Sequence, residues 1–542
     1  MFKHPALLSA LAALLLLGLF SPEIRDPDFW WHLKTGQYLV ERHSLPSPDP
    51  FAYTTASAHD AYAGEAITRH FNLTHEWLAQ AMFYGVYRAA GFPGIVLFRA
   101  LLLTVFCGIA GWIVFLRTHW LYRAIATSLL AAAVAVRFAL DRPFLFTFLF
   151  LALTLLVLET RRHLWLLPAI LLVWANCHGG FFLGWIALAI YTLRNRRLWP
   201  YAAGAVLISG LNPNGFHVLE VLTAYRGSGM QSKLLEWAPP RLWPPSVFSL
   251  LLAGAVAVLM WARRRVTVTD WLLLAAFAAA ALAAERNTVL IGFLAPILIA
   301  SYMPKVAVRH SAVPYALAAA LVLAILVGTL RGSFFQLRAA EWRYPSGAAD
   351  FIREHRLPGR LFNTYEYGGF LMWKLWPEQQ VFIDGRALSE SLFEDYGRIL
   401  YNYQGGAQAL LDRYNVDILV LNAFEYNNGP IYFLAPLLAD PRQTTWTLVY
   451  SDPQAMVFAR RPPAGMAVLD PSLVLTHLEE ECGLHIDREP GRPRCARSLA
   501  QTFAKLGDFS RARRWLGIYL EHWKRPDPEA EAAYQQYLGM GR

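Results

Sequence analysis

The chain has 542 residues, of which 56% are hydrophobic and only 16% are charged, and its mean hydropathy is +0.31. Soluble globular proteins carry about 25% charged residues, so this composition excludes a disordered chain, a coiled coil and an ordinary soluble enzyme. The net charge of +10 agrees with basic loops on the cytoplasmic side of a membrane. We therefore predict an integral membrane protein with no nucleic-acid partner.

Eleven apolar stretches are candidate transmembrane helices, because about 20 apolar residues cross the hydrocarbon core, within a range of about 17 to 25. Several of them are short, and residues 164–193 also fit one broken or re-entrant pair. The first stretch is predicted to be an uncleaved span, and a secretory signal peptide is the alternative. The eleven stretches are residues 5–20, 93–116, 122–140, 143–158, 164–177, 179–193, 199–211, 246–262, 270–284, 288–303 and 312–330.

Basic residues occur in every second loop when the N-terminus is placed in the cytoplasm, as the positive-inside rule requires. The sequence thus predicts a multi-pass protein of the inner (cytoplasmic) membrane. Its loops 21–92 and 212–245 and its C-terminal tail would be periplasmic or extracellular. The basic clusters are Arg117 with Arg123, Arg161 with Arg162, Arg194 with Arg196 and Arg197, Arg263 to Arg265, and Lys305 with Arg309.

The chain changes character after the predicted transmembrane domain, residues 1–330. Residues 331–480 have short apolar runs and are predicted to form an exported α/β domain. A buried strand is expected at 416–421 and a β-hairpin at 446–450 with 455–458, and helices are expected at 346–355 and 407–414. The fold class is therefore a polytopic α-helical membrane protein with a C-terminal exported α/β domain.

The last predicted segment, residues 481–542, is helical. Its stretch Leu499–Ala512 resembles one tetratricopeptide hairpin. Stable arrays need about three or more repeats, so we expect a short tetratricopeptide-like end. Cys482 and Cys495 in this segment form a disulfide worth about 3 kcal/mol if the compartment is oxidising, or remain two separate thiols.

Two carboxylates follow the first predicted span, in Arg25-Asp26-Pro27-Asp28, and three aromatic residues and His32 come next. Trp and other aromatic residues favour the membrane interface, so this loop is expected at the headgroup level. A helix that begins here needs only one N-cap carboxylate, whereas the loop supplies two. Asp26 and Asp28 are therefore candidate catalytic residues. The alternative is an interfacial belt with solvated carboxylates.

Arg137 and Arg142 stand at the predicted outer ends of the third and fourth spans, against the usual charge bias. Arginine binds phosphate in a bidentate manner, so both are candidate ligands of an anion such as a lipid phosphate. The structural alternative is that Asp141 pairs with an arginine and Pro143 begins a helix.

His178 lies between two predicted spans and precedes the pair Gly179-Gly180. Polar residues at membrane depth are costly and usually functional, and glycines let the backbone approach a ligand closely. His178 is therefore a candidate substrate-binding residue. A buried histidine that bridges two half-helices is the alternative.

The other outer loops contain Glu236-Trp237 and Glu285-Arg286. Glu236 beside Trp237 is typical of a site carboxylate next to an aromatic sugar platform, and equally of a helix end at the interface. Arg286 is a candidate phosphate ligand, and an internal pair with Glu285 is the alternative.

The predicted architecture resembles the GT-C glycosyltransferases, which include oligosaccharyltransferases, protein O-mannosyltransferases and aminoarabinose transferases. The resemblance covers the chain to about residue 460 and rests on many spans, an acidic first exported loop and an exported soluble domain. The Trp-Trp-Asp signature of oligosaccharyltransferases is missing from the tail, which argues against protein N-glycosylation. The segments similar to a bacterial branch of these proteins are Asp26-Pro-Asp28-Phe-Trp-Trp-His32-Leu, Trp174-Ala-Asn-Cys-His178-Gly-Gly, Glu236-Trp237, Gly368-Gly369 and Asp384-Gly-Arg386.

The resemblance implies an enzyme that moves a sugar from a polyprenyl-phosphate-linked donor to an acceptor hydroxyl of a glycan, lipid or protein. Membrane lipids would surround it. Asp28 or Asp26 matches the acidic residue of the family's first loop and would take the hydroxyl proton. A single displacement would invert the anomeric centre.

The leaving phosphate would need cationic stabilisation, for which Arg286, Arg142 and Arg137 are candidates, and His32 and His178 would orient either partner. In some relatives a divalent ion such as Mg²⁺ or Mn²⁺ does this work, and three carboxylates are its candidate ligands here: Asp26, Asp28 and Glu236. Metal-binding sequence motifs are absent.

A different class of function fits the same residues. An outward-facing site of this kind is also expected in a non-catalytic binder or transporter of lipid-linked glycans. Transporters often contain internal repeats and paired broken helices. The sequence has one candidate break, at residues 176–180, and no convincing repeat.

Overall fold

The computed structural model describes residues 5–229, 235–304, 312–425, 429–440 and 442–540. These residues form two compact units. The first comprises residues 1–48 and 60–340, and the second comprises residues 49–59 and 341–542. The basic residues Lys305 and Arg309, predicted to face the cytoplasm, lie outside the described residues.

The first unit is helical, and a helix coincides with each of the eleven predicted spans. Its main helices are α1 (Pro5–Leu19), α2 (Asp28–Arg42), α3 (Glu65–Thr74), α4 (Trp77–Thr118), α5 (Leu121–Ala135), α6 (Phe144–Thr160), α7 (Leu166–Cys177), α8 (Phe182–Thr192), α9 (Trp199–Ser209), α10 (Val218–Ala224), α11 (Val247–Trp261), α12 (Val268–Ala283), α13 (Thr288–Tyr302) and α14 (Val313–Leu330).

Among the described residues, three helical segments are long and apolar enough to cross a membrane: Glu65–Thr118, Leu121–Phe138 and Val313–Leu330. Shorter apolar helices of 10–17 residues follow in the same unit, such as α1 and α6. The membrane character is therefore supported by helix length and composition, while the full number of eleven crossings remains a prediction.

Helix α4 changes direction at Gly91, which adopts a left-handed φ of 59°. Glycine tolerates this conformation because it has no Cβ, and Pro93 follows two residues later. The apolar part of α4 therefore begins close to residue 93, where the sequence predicted the second span to start. Buried side chains of α4, α5, α6 and α13 form the core behind it.

The second unit contains a four-stranded sheet in the order β1-β2-β4-β3. Strands β1 (Arg360–Asn363) and β2 (Val416–Leu421) are parallel, and β3 (Thr447–Ser451) and β4 (Met456–Ala459) form an antiparallel hairpin. The predicted buried strand and hairpin are confirmed. The helices are α15 (Ser346–Glu354), α16 (Tyr365–Leu375), α17 (Glu390–Tyr401), α18 (Ala407–Arg413), α19 (Leu434–Leu438), α20 (Leu473–Arg488), α21 (Arg494–Lys505), α22 (Phe509–His522) and α23 (Pro528–Met540).

The C-terminal helices α21 and α22 form a hairpin, with a left-handed Gly507 (φ 81°) between them. The side chain of Asp508 caps α22 by accepting a hydrogen bond from the Arg511 amide. Cys482 and Cys495 form a disulfide, which decides between the two alternatives left by the sequence. The tetratricopeptide character of this end remains a prediction.

Residues 49–59, from the first predicted exported loop, fold with the second unit. Asp49 accepts hydrogen bonds of 2.8 and 3.1 Å from the Arg386 guanidinium, which also binds Asp384. All three side chains are almost completely buried. The Asp384-Gly-Arg386 pattern is therefore part of a buried ion-pair network inside this unit.

Candidate functional site

The loop after α1 is held by an arginine inside the apolar helix α4. Arg99 is 1% exposed, donates hydrogen bonds to the carbonyl oxygens of Phe20 and Pro22, and forms an ion pair with Asp141. A buried charge is costly unless acceptors surround it, and three acceptors surround this one. Arg99 thereby fixes the backbone a few residues before Asp26 and the residue immediately before Arg142.

Arg142 is the centre of the site because three carboxylates converge on its guanidinium. Its Nε and Nη2 atoms contact the two oxygens of Asp26, Nη2 at 2.8 Å. Its Nη1 atom lies 2.8 Å from Asp28 and 3.6 Å from Glu236. The bidentate contact with Asp26 is the strong form of an arginine–carboxylate pair. We name Asp26, Asp28, Glu236 and Arg142 the acidic cluster.

The two aspartates of the first loop have different environments. The Asp26 side chain is 2% exposed, and although burial raises its pKa, the Arg142 guanidinium outweighs this effect and lowers the pKa overall. The Asp28 side chain is 14% exposed. Burial raises the pKa of Asp28 to about 7; the Arg142 charge opposes this shift, and the Asp26 and Glu236 charges add to it. Asp26 is thus a permanent partner of Arg142, whereas Asp28 is able to exchange a proton near neutral pH.

Arg286 is a second cation at this site, and its guanidinium lies 3.4 Å from the centroid of the Trp237 ring. The edge of Tyr225 packs against the same indole, at 5.4 Å between ring centroids. Within the described part of the chain, the Arg286 guanidinium makes no hydrogen bond or ion pair. Stacking on tryptophan fixes a guanidinium while leaving its N–H groups available. Because Arg286 covers one face of Trp237, that face is not presented to a sugar.

Glu285 does not pair with Arg286, which was one alternative from the sequence. Its carboxylate lies 3.0 Å from Arg137, which is 58% exposed, and Glu285 itself is 30% exposed. Its amide donates to the Ala238 carbonyl at 2.8 Å, which joins the turn that contains Trp237 to the turn that contains Arg286. Arg137 is therefore not part of the acidic cluster, and within the described part of the chain its ion pair is with Glu285.

A group of three histidines surrounds Glu76, beside the acidic cluster. Glu76 lies 3.3 Å from His75, 3.6 Å from His32 and 3.7 Å from His178. Burial lowers the pKa of His32 to about 4, the Glu76 charge opposing this shift. His32 is therefore neutral at pH 7 and interacts electrostatically with Asp26 and Arg142.

His178 has a defined tautomer, because its Nδ1 accepts a hydrogen bond of 3.0 Å from the Gly180 amide. The same nitrogen lies 2.8 Å from the Thr147 hydroxyl. Its Nε2 atom must then carry the proton and face Glu76. These contacts fit the alternative that His178 is a buried histidine between two half-helices. His178 also lies beside Glu76 and is therefore part of the site.

Sequence reasoning missed two residues here, Glu76 and His75. Both stand in the predicted outer loop 21–92, immediately before the apolar helix α4. The signal that was available is an adjacent His-Glu pair immediately before a helix.

The acidic cluster does not fit a divalent metal ion, although its three carboxylates were the predicted ligands. Mg²⁺ and Mn²⁺ require direct oxygen contacts at about 2.0–2.2 Å, and the Arg142 guanidinium lies between Asp26 on one side and Asp28 and Glu236 on the other. Among the described side chains, no group of three or more His, Cys, Asp or Glu is arranged to hold a metal.

The fold is similar to that of archaeal oligosaccharyltransferases. AglB from Archaeoglobus fulgidus, in complex with an inhibitory peptide and a dolichol-phosphate, matches with a TM-score of 0.56 and 11% identity, over 96% of this chain and 86% of that chain. An Archaeoglobus fulgidus oligosaccharyltransferase in the apo form matches with a TM-score of 0.53 and 11% identity, over 86% of this chain and 76% of that chain.

These matches define the class of fold. Oligosaccharyltransferases are GT-C proteins, so the resemblance stated from the sequence is confirmed at the level of the fold. No family model and no curated protein matches the sequence.

Proposed function

We propose that this protein is a membrane glycosyltransferase that transfers a sugar from a polyprenyl-phosphate-linked donor to an acceptor hydroxyl on the outer face of the cytoplasmic membrane. One observation carries the proposal. Asp28, a carboxylate that is 14% exposed and has a pKa of about 7, contacts Arg142, and Arg286, which has no ion pair among the described residues, interacts electrostatically with Arg142 and Glu236 of the same site, on a fold similar to that of oligosaccharyltransferases. A base and a phosphate ligand are the two groups that this reaction needs.

Asp28 is the general base in this proposal. An acceptor hydroxyl is a poor nucleophile, and a carboxylate that removes its proton during attack contributes about 10²- to 10⁴-fold in rate. Asp28 is more accessible than Asp26 and has one charged contact with Arg142 instead of two. Asp26 keeps Arg142 in place, and Arg142 orients the Asp28 carboxylate.

Arg286 binds the phosphate of the donor. As the bond between the anomeric carbon and the phosphate oxygen breaks, negative charge builds up on the leaving group, and a preorganised cation stabilises it. The stacking on Trp237 holds the guanidinium in place before substrate binds. The archaeal neighbour was solved with a dolichol-phosphate, which supports a lipid phosphate as the donor class. The direct displacement would invert the anomeric centre.

Glu76 and its three histidines form the second wall of the proposed site. His178 directs an N–H group toward Glu76 and His32 is neutral, so these two histidines are able to donate and accept hydrogen bonds without adding a further positive charge. Such groups suit the hydroxyls of a sugar, and we assign His32 and His178 to donor or acceptor binding.

The test is glycan and glycolipid profiling of the native host with the wild-type chain and an Asp28→Asn variant at equal expression. We expect one glycoconjugate to disappear and a polyprenyl-linked donor to accumulate. Asp60→Asn is the matched control, because Asp60 lies in the same loop and is 47% exposed in a surface pair with Arg69. An unchanged profile in Asp28→Asn and also in Asp26→Asn would reject the base assignment and favour a non-catalytic carrier.

A further inference from the structure

The acidic cluster combines three carboxylates, the kind of oxygen donors that bind a cation, with the positively charged side chain of Arg142. Three carboxylates meet at Arg142, two from the loop after α1 and Glu236 from a later loop. We propose that the Arg142 guanidinium is the resident cation of this cluster, so that the site takes no divalent metal ion. This inference rests on the function proposed above and deepens it.

The three carboxylates contact different edges of the Arg142 guanidinium. Asp26 contacts the Nε and Nη2 atoms, while Asp28 and Glu236 contact Nη1. A metal ion would have to draw these oxygens to within about 2.1 Å of one point. The planar guanidinium occupies the space between them, so the ion and Arg142 are mutually exclusive.

Arg142 is also firmly held. Its neighbour Asp141 is completely buried in an ion pair with Arg99, and the next residue, Pro143, leads directly into α6. A guanidinium remains charged under all ordinary conditions, and the surrounding carboxylates raise the pKa of Arg142 further, although burial alone would lower it. Displacement by a metal ion would break the bidentate pair with Asp26 and leave a charged side chain without its partners.

The functional consequence is a fixed positive charge that chelators cannot remove. Arg142 acts as a positioning residue: it holds Asp28 at one edge, with a geometry set by the rigid guanidinium plane. Phosphate binding is then left to Arg286, whose N–H groups are not engaged by any described carboxylate.

The experiment measures Mn²⁺ binding by electron paramagnetic resonance on the purified full-length chain in detergent. The variants are Arg142→Met, which removes the charge and keeps the stem, and Arg142→Lys, which keeps a cation as the matched control. We expect no specific Mn²⁺ in the wild type or in Arg142→Lys. We expect Arg142→Met to bind one Mn²⁺ at least tenfold more tightly than the wild type, and the added change Asp28→Asn to abolish this site.

Two results would overturn the inference. The first is one Mn²⁺ bound to the wild type and weakened by Asp28→Asn or Glu236→Gln, which would make the cluster a metal site. The second is a folded Arg142→Met chain that gains no Mn²⁺, which would mean that the guanidinium does not occupy a cation position. If Arg142→Met does not fold, Mn²⁺ binding to the wild type, Asp28→Asn and Glu236→Gln still tests the inference, because these measurements do not need that variant.

The binding assay needs no turnover, so it is independent of the proposed reaction. If Asp28→Asn leaves the glycan profile unchanged while Arg142→Met gains Mn²⁺, the transferase proposal fails and the cation assignment stands. If glycan transfer in washed membranes is lost on EDTA treatment and restored by Mn²⁺, the cation assignment fails and the transferase proposal stands.

Discussion

Each of the two units contains an arginine bound to aspartates, and the two clusters differ in their access to solvent. In the second unit, Arg386 is 2% exposed and its partners Asp49 and Asp384 are equally buried. In the first unit, Arg142 is 22% exposed, Asp28 14% and Glu236 47%. Both clusters use the same charge-assisted hydrogen bonds. The buried one leaves no group free for chemistry, whereas the accessible one has a carboxylate that can meet a substrate.

The largest expected effect tests the buried ion pairs of Arg386 with Asp49 and Asp384. Arg386→Met leaves two buried carboxylates without their cation, and breaking a buried pair in this way costs about 3–5 kcal/mol. Thermal unfolding of the full-length chain should show a strongly lowered midpoint. Arg442→Met is the control, because Arg442 is 89% exposed in its pair with Asp440 and such surface pairs contribute little to stability. Equal midpoints for the two variants would contradict a structural role for Arg386.

The next-largest effect tests Arg286 in the candidate site of the first unit. Arg286→Gln keeps hydrogen-bonding groups but removes the charge that we assign to the donor phosphate. Loss of one such stabilising group lowers turnover by about 10²- to 10³-fold, so the glycoconjugate should fall by about that factor while the unfolding midpoint stays the same.

Arg137→Gln is the matched control for Arg286, since Arg137 is 58% exposed and pairs with Glu285. If Arg137→Gln lowered the glycoconjugate as much as Arg286→Gln does, the phosphate would bind closer to Arg137 than we propose.

The pH dependence of transfer tests whether Asp28 is the base. Its pKa of about 7 means that the active, deprotonated form is about a tenth of the population at pH 6 and about nine tenths at pH 8. Transfer in isolated membranes should therefore rise with pH and level off above about pH 8. A flat profile between pH 5.5 and pH 8 would exclude Asp28 as the titrating base.

The smallest effect concerns Glu366, a carboxyl of the second unit whose pKa is also near 7 but which has no arginine beside it. Burial raises its pKa from 4.5 to about 7, and the Tyr432 hydroxyl at 2.8 Å opposes this shift. The folded state therefore holds the proton more tightly than the unfolded state. Stability is unaffected below about pH 4.5, falls as the pH rises to about 7, and stays at the lower level above it.

Glu366→Gln should accordingly raise the unfolding midpoint at pH 8 and change it little at pH 5. Glutamine keeps an oxygen that accepts the hydrogen bond of Tyr432. The same gain at both pH values would show that titration of Glu366 is not the cause.

Local features of both units were predictable because they depend on near neighbours in the chain. The strand Val416–Leu421 follows from an apolar run with β-branched residues, and Gly91-Phe-Pro93 marks the point where α4 becomes apolar. By contrast, the role of Asp384-Gly-Arg386 was not predictable, since the partner Asp49 lies 337 residues before Arg386.

The sequence by itself determined the apolar character, the positions of the apolar helices and of the three predicted strands, and most of the residues that meet at the site. Only the tertiary structure decided how those residues are paired. It showed that Asp26 is more buried than Asp28, brought both carboxylates and Glu236 into contact with Arg142, and added Glu76 and His75. The physical reason is distance: periodicity reports contacts within a few residues, whereas the pKa of Asp28 depends on Arg142 and Glu236, more than a hundred residues away.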